Sequence, residues 1–227
     1  MWKMEDITVD DRRAILISIQ PEWVEKILSG EKTIEIRKTI PDFTGSFNVY
    51  IYCSKGNHEK WLAGIKGKHE SYKLNGTVCA EFTCEKIDKY EAEFVNDDCY
   101  EQINVVIPND DDPDDPDFEN IVTNEQDDPN DCWLCKESCV PYSELKDYVA
   151  NGEEGFFVFY GWHISDLKVY DKPRSIGQLK PWRQTGEPCW WAQNGKMQKS
   201  CGACSRCYVK RPPQSWMYIV KPKEVEV

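Results

Sequence analysis

The chain has 227 residues, 40% apolar and 30% charged, with nine tryptophans and a formal net charge of −12. That length suits one substantial domain with insertions. The charge content, and the want of any apolar run near the ~18 residues a span requires, argue against a membrane protein.

The net charge hides two regions of opposite sign. Residues 97–131 hold 14 Asp or Glu and no Lys or Arg, whereas residues 168–223 hold 12 basic side chains against Asp171 and Glu187. An acidic total therefore does not exclude a polyanionic partner. The opening MWKMEDITVDDRR is charged and lacks the apolar stretch of a secretory signal, so a cytoplasmic protein is expected.

Residues 1–13 read as a tail. AILISI, Ala14 to Ile19, is a β-branched apolar run and predicts a buried strand. Pro21 suits the first turn of a helix over PEWVEKILS, with Trp23, Val24, Ile27 and Leu28 on one face, and Gly30 ends it. The chain then re-enters a strand at Lys32, with Ile34 and Ile36 facing inward and Thr33, Glu35 and Arg37 outward. FNVYIYC and GTVCAEFTCEKI predict two further strands, separated by a basic loop with Lys55, Lys60, Lys66 and Lys68.

Residues 96–131, acidic and punctuated by proline, predict a mobile insert with too little apolar surface to offset its ordering entropy. PYSELKDYVANG predicts a helix stopped at Gly152, and FFVFYGWHISDLKVYD a long strand or strand pair interrupted at Gly161. SWMYIVKP predicts a final strand. Many short strands with few helices point to an α+β fold, a small β-barrel with peripheral helices.

The segment from Gly30 to Arg37, GEKTIEIR, fits G-x-K-x-x-E-x-R and resembles the signature of ASCH domains, small β-barrels of the PUA-like superfamily. The similarity spans residues 14–171, interrupted by the acidic insert, and residues 172–227 form a basic elaboration whose last strand returns to the barrel. YGWHISDLKVYDKP and RPPQSWMYI are similar to ASCH-like proteins of bacteria and their phages. The resemblance implies a cleft for RNA or a modified nucleobase, with Lys32, Glu35 and Arg37 as ligand-binding residues and Gly30 as a turn former. Lysine and arginine meet phosphate as a point charge and a fork, and a glutamate can accept from a base amino group or fix the arginine.

One branch of the family is similar to an amidohydrolase acting on N4-acetylcytidine through a lysine, a threonine and a glutamate. Lys32 matches its lysine, but Glu35 stands where it has threonine. Thr33, on the same face, and Glu81 or Glu85 on a later strand are the remaining catalytic candidates. The alternatives to a binding module are thus a nucleic-acid-directed hydrolase of this kind, a ribonuclease, or a phage or bacterial protein-protein module using the acidic insert.

Eleven cysteines, several at two-residue gaps, favour reduced thiols and a metal site over disulfides. Cys201, Cys204 and Cys207 with Cys189 predict a C-terminal knuckle holding a structural zinc, an iron-sulfur cluster being the lesser choice. Cys132, Cys135 and Cys139 could supply a further ligand, form a second site with Cys99, or be ordinary core residues. Cys53, Cys79 and Cys84 sit in strand patterns and read as core. The basic tail interleaves Lys180, Arg183, Lys196, Lys199, Arg206, Lys210 and Arg211 with Trp182, Trp190, Trp191, Tyr208 and Trp216, a mixture suited to single-stranded RNA or to a miniature core. His163 either faces the cleft or is a satisfied core histidine. No serine elbow, phosphate loop or dinucleotide fingerprint occurs.

Overall fold

A computed structural model describes residues 12–56, 61–62, 72–94, 101–107, 116–122, 129–182 and 208–222. Strand β1, Arg13–Ile19, is followed by helix α1, Pro21–Leu28, and by the short strand β2, Ile34–Arg37. Next come β3 (Phe47–Cys53), β4 (Trp61–Leu62), β5 (Tyr72–Lys73), β6 (Thr77–Cys84), β7 (Ile87–Phe94), β8 (Glu101–Ile107) and β9 (Asp117–Val122). Helices α2, Trp133–Ser138, and α3, Tyr142–Ala150, precede the hairpin of β10 (Gly155–His163) and β11 (Ser165–Arg174), and β12 is Trp216–Val220. No helix among the described residues is long and apolar enough to cross a membrane.

The chain divides into two compact units. The first comprises residues 1–25, 46–83 and 166–227, and its sheet runs β11-β6-β3-β1-β12. β1 lies parallel to β3, with Ile15 opposite Val49 and Ile17 opposite Ile51, and antiparallel to β12. Central strands covered on both faces read as continuous apolar runs, which is the pattern of AILISI and VYIYC. One face packs Ala14, Leu16, Tyr50, Tyr52, Val78 and Ile219 against Leu179 and Val209.

The second unit comprises residues 26–45 and 84–165, with the sheet β2-β10-β7-β8-β9. Alternate residues Ile34, Ile36, Tyr90, Ala92, Phe94, Ile103, Val105, Ile121 and Phe159 pack against Leu134, Tyr142, Leu145 and Val149 of the two helices. Tyr142 N–H donates to Asn130 Oδ1 at 2.8 Å, and Asn151, at φ 56°, closes the far end of α3 one residue before the expected glycine.

Three expectations need correction. The sheets are two open five-stranded arrays and a two-stranded pair, β4-β5, and no closed barrel is present among the described residues. The acidic stretch contains β8 and β9, because its few apolar residues alternate and bury Ile103, Val105 and Ile121 in the second core; an average over composition conceals that. Gly161 does not interrupt a strand: it lies inside β10, where a Cβ would stand 2.8 Å from Ile34 Cγ2 and 2.9 Å from Tyr90 Cε2. The glycine permits close approach of neighbouring side chains.

Candidate functional site

Helix α1 ends in a turn that aims the signature. Gly30, at φ 80°, donates its N–H to Ile27 O at 3.0 Å, and Lys32 N–H returns to Lys26 O at 3.0 Å. Glycine takes this left-handed conformation at little cost, so the chain reverses and enters β2. There Glu35 and Arg37 lie opposite Trp162 and Tyr160 of β10.

All four residues of β2 are buried, including the two charged ones expected to face outward. The reason is mutual satisfaction. Glu35 Oε1 accepts from Arg37 at 2.7 Å, its Oε2 lies 3.4 Å from Lys32 Nζ, and Lys32 Nζ also donates to the Ser138 carbonyl at 2.6 Å. Lys32, Glu35 and Arg37 are respectively 2%, 6% and 7% exposed, so the predicted trio does come together, as a buried network with few contacts to water. Burial pushes the Lys32 pKa below its ordinary value against the pull of Glu35. Arg37 also hydrogen-bonds the Tyr148 hydroxyl, and Lys38 Nζ lies 5.3 Å from the Tyr148 ring centre.

Helix α2 adjoins the entry to β2. Thr33 N–H donates to Glu137 O at 2.8 Å, and Thr33 Oγ1 donates to the Glu137 carboxylate. The candidate threonine thus has a carboxylate on its hydroxyl proton, from a residue that no pattern singled out. Ser138 and Tyr148 were likewise missed, because carbonyl acceptors and helix-borne hydroxyls leave no spacing in a sequence.

Glu81 belongs to the first unit, where its carboxylate accepts from the Tyr170 hydroxyl at 2.7 Å and lies 3.7 Å from Lys168 Nζ. Glu85 is exposed. His163 is partly buried, with Nε2 2.7 Å from Asp88 Oδ2, and Asp88 also meets Lys86 at 2.9 Å. Burial alone would raise the Asp88 carboxyl, but the hydrogen bonds from His163 and Lys86 outweigh it and hold its pKa below the usual range.

The expectation of a structural zinc, or of an iron-sulfur cluster, is overturned: among the described residues no group of three or more Cys, His, Asp or Glu is placed to hold a metal. Cys189, Cys201, Cys204 and Cys207 lie outside the described residues. Cys132 and Cys135 are buried in the second core, and Cys132 caps α2. Cys139 is half-exposed at the other end of that helix, in a left-handed conformation at φ 53°. Cys53, Cys79 and Cys84 are core residues, as their strand positions implied; burial pushes their thiols up to about 11, 12 and 12.

No family model matches the chain. Over 47 residues, 21% of its length, it is 38% identical to the curated ASCH domain-containing ribonuclease of Zymomonas mobilis, and it spans about a third of that relative, 32%. Among solved structures it is similar to ASCH from Zymomonas mobilis, with 16% identity and a TM-score of 0.40 over 92% of this chain and 88% of that one. A serine-to-alanine variant of that protein matches with 17% identity and a TM-score of 0.42 over 94% and 92%. In the signature from Gly30 to Arg37 and over those 47 matched residues, the chain is similar to an ASCH-domain protein.

Proposed function

We propose that this domain binds RNA at the network of Lys32, Glu35 and Arg37 and cleaves it as a ribonuclease. The observation that carries the reading is the convergence of an ammonium and a guanidinium on the two oxygens of one buried carboxylate, at 3.4 and 2.7 Å. An anionic, two-oxygen group is what such a pair of cations recognises, and a phosphodiester is one. The relative with 38% identity carries the name ribonuclease, which supports this chemistry over binding alone.

In the proposed reaction Glu35 takes the proton of the ribose 2′-hydroxyl, and that oxygen attacks the adjacent phosphorus. The bond to the 5′-oxygen breaks as Lys32 gives it a proton, and Arg37 balances the charge on the phosphoryl oxygens. The lowered Lys32 pKa suits a proton donor. The products are a 2′,3′-cyclic phosphate and a free 5′-hydroxyl.

The test is cleavage of an end-labelled single-stranded RNA, beside the same oligonucleotide with a deoxyribose at the cleaved position. Wild-type protein cuts only the former, and Lys32→Ala reduces the rate by about 10²- to 10⁴-fold, the usual worth of general acid-base catalysis. Intact RNA after incubation with the wild type, or an unchanged rate for Lys32→Ala, would sink the reading. One observation favours binding without cleavage: Lys32 Nζ is already held by the Ser138 carbonyl at 2.6 Å. RNA affinity that falls steeply with salt, without scission of RNA or deacylation of N4-acetylcytidine, would establish that instead.

A further inference from the structure

Cys132 and Cys135 have no part in the RNA reading, and their geometry differs from that of the other described thiols. Cys132 is the N-cap of α2, and its Sγ accepts the Cys135 N–H at 3.3 Å, so the sulfur is folded over the helix's first turn toward residue 135. Helical rise and radius place Cα atoms three residues apart at about 5 Å. A disulfide spans about 4.4 to 6.8 Å.

We propose that Cys132 and Cys135 form a redox-active dithiol, a modification site that a hydroperoxide closes to an intrachain disulfide. The Cys135 thiol hydrogen-bonds the Cys132 sulfur and, against burial, holds the Cys132 thiol down at about 7. Cys53, Cys79 and Cys84 stand far above that, so among these thiols Cys132 carries the most of the reactive thiolate at neutral pH. Each member of the pair is 5% exposed. That opening suits an oxidant little larger than water and disfavours a bulky disulfide.

The chemistry balances in two steps. Cys132 thiolate attacks one oxygen of hydrogen peroxide; the sulfur-oxygen bond forms, the oxygen-oxygen bond breaks, and the departing hydroxide takes a proton to become water. Cys135 sulfur then attacks the resulting sulfenic acid, the sulfur-sulfur bond forms, and the hydroxyl leaves with the Cys135 proton as a second water. The dithiol loses two electrons and the peroxide gains them. At the opposite end of the same helix, the Glu137 and Ser138 carbonyls hold Thr33 N–H and Lys32 Nζ.

The experiment treats the reduced, full-length chain with an equivalent of hydrogen peroxide, blocks remaining thiols by alkylation, and maps peptides by mass spectrometry. A peptide containing both Cys132 and Cys135, lighter by two hydrogens and restored by dithiothreitol, is the expected result. In Cys135→Ser the reaction stops at a Cys132 sulfenic acid that dimedone traps, and in Cys132→Ser residue 135 stays alkylatable. The proposal is overturned if both cysteines of the wild type remain alkylatable after peroxide, if Cys132 pairs with another cysteine, or if it passes on to sulfinic acid. The wild-type arm decides the matter even where a variant fails to fold.

Discussion

Replacing Glu35 by glutamine keeps the side chain's size and removes the carboxylate that meets Lys32 Nζ at 3.4 Å and Arg37 at 2.7 Å. At an effective dielectric of about 20, charges at such separations attract by roughly 5 to 6 kcal/mol each, and desolvating the ions cancels most of that. Glu35→Gln leaves two cations whose side chains are only 1% and 8% exposed, and they repel each other. Breaking a buried ion pair at one partner costs about 3 to 5 kcal/mol, so a loss of about 4 kcal/mol is expected here. Adding Lys32→Met removes one of the stranded charges and should return at least about 1 kcal/mol, a coupling of the kind seen between contacting residues. Urea unfolding of the three proteins at neutral pH measures both quantities. A loss under about 1 kcal/mol for Glu35→Gln, or no recovery in the double variant, would show that water already screens the network.

Three further outcomes are expected. Gly161→Ala forces a Cβ to within 2.8 Å of Ile34 and 2.9 Å of Tyr90, both nearly inaccessible, and should cost about 1 to 3 kcal/mol in thermal or urea unfolding; a neutral effect would mean that β10 can shift. Tyr148→Phe removes the hydroxyl that Arg37 hydrogen-bonds and should cost no more than about 1 kcal/mol in stability, while weakening RNA binding more than that; equal or no effects on both would detach Tyr148 from the site. The Cys79 thiol is raised to about 12 in the folded chain, above its ordinary value of 9.0, so unfolding releases its proton between those pH values. Stability from this group is complete below pH ~9 and is lost as pH rises toward 12. Cys79→Ala should therefore flatten the alkaline fall in unfolding free energy by up to one proton, and an unchanged slope would contradict the burial argument.

Alternation makes much of the second core legible in the sequence: Ile34 and Ile36 do face the apolar cluster. The same alternation misjudged Glu35 and Arg37, since a period of two reports which face a residue occupies and not whether that face is wet. Only the meeting of Lys32, Glu35 and Arg37 around one carboxylate lets the charged face be buried, and that depends on the turn at Gly30 and the Ser138 carbonyl, 106 positions away from Lys32. In the acidic stretch, repeated aspartates outweighed the short apolar alternation around Ile103, Val105 and Ile121, whose strands join the sheet through β7. Cys132 shows the opposite case: its two-residue gap to Cys135 was visible, but spacing alone could not separate a metal ligand from a helix cap.

The pairing of β1 with β12, in which Ala14 lies opposite Ile219 and Ile17 opposite Trp216, has a consequence for synthesis on the ribosome. The second unit's segments end at Ser165, so its sheet can assemble while the first unit still lacks its last strand. Until residues 216–220 emerge, β1 presents an unpaired apolar edge, a template for joining a neighbouring nascent chain. A chain cut short before Trp216 would retain the entire Lys32, Glu35 and Arg37 network and still be prone to aggregate, through the edge of β1 that β12 otherwise covers.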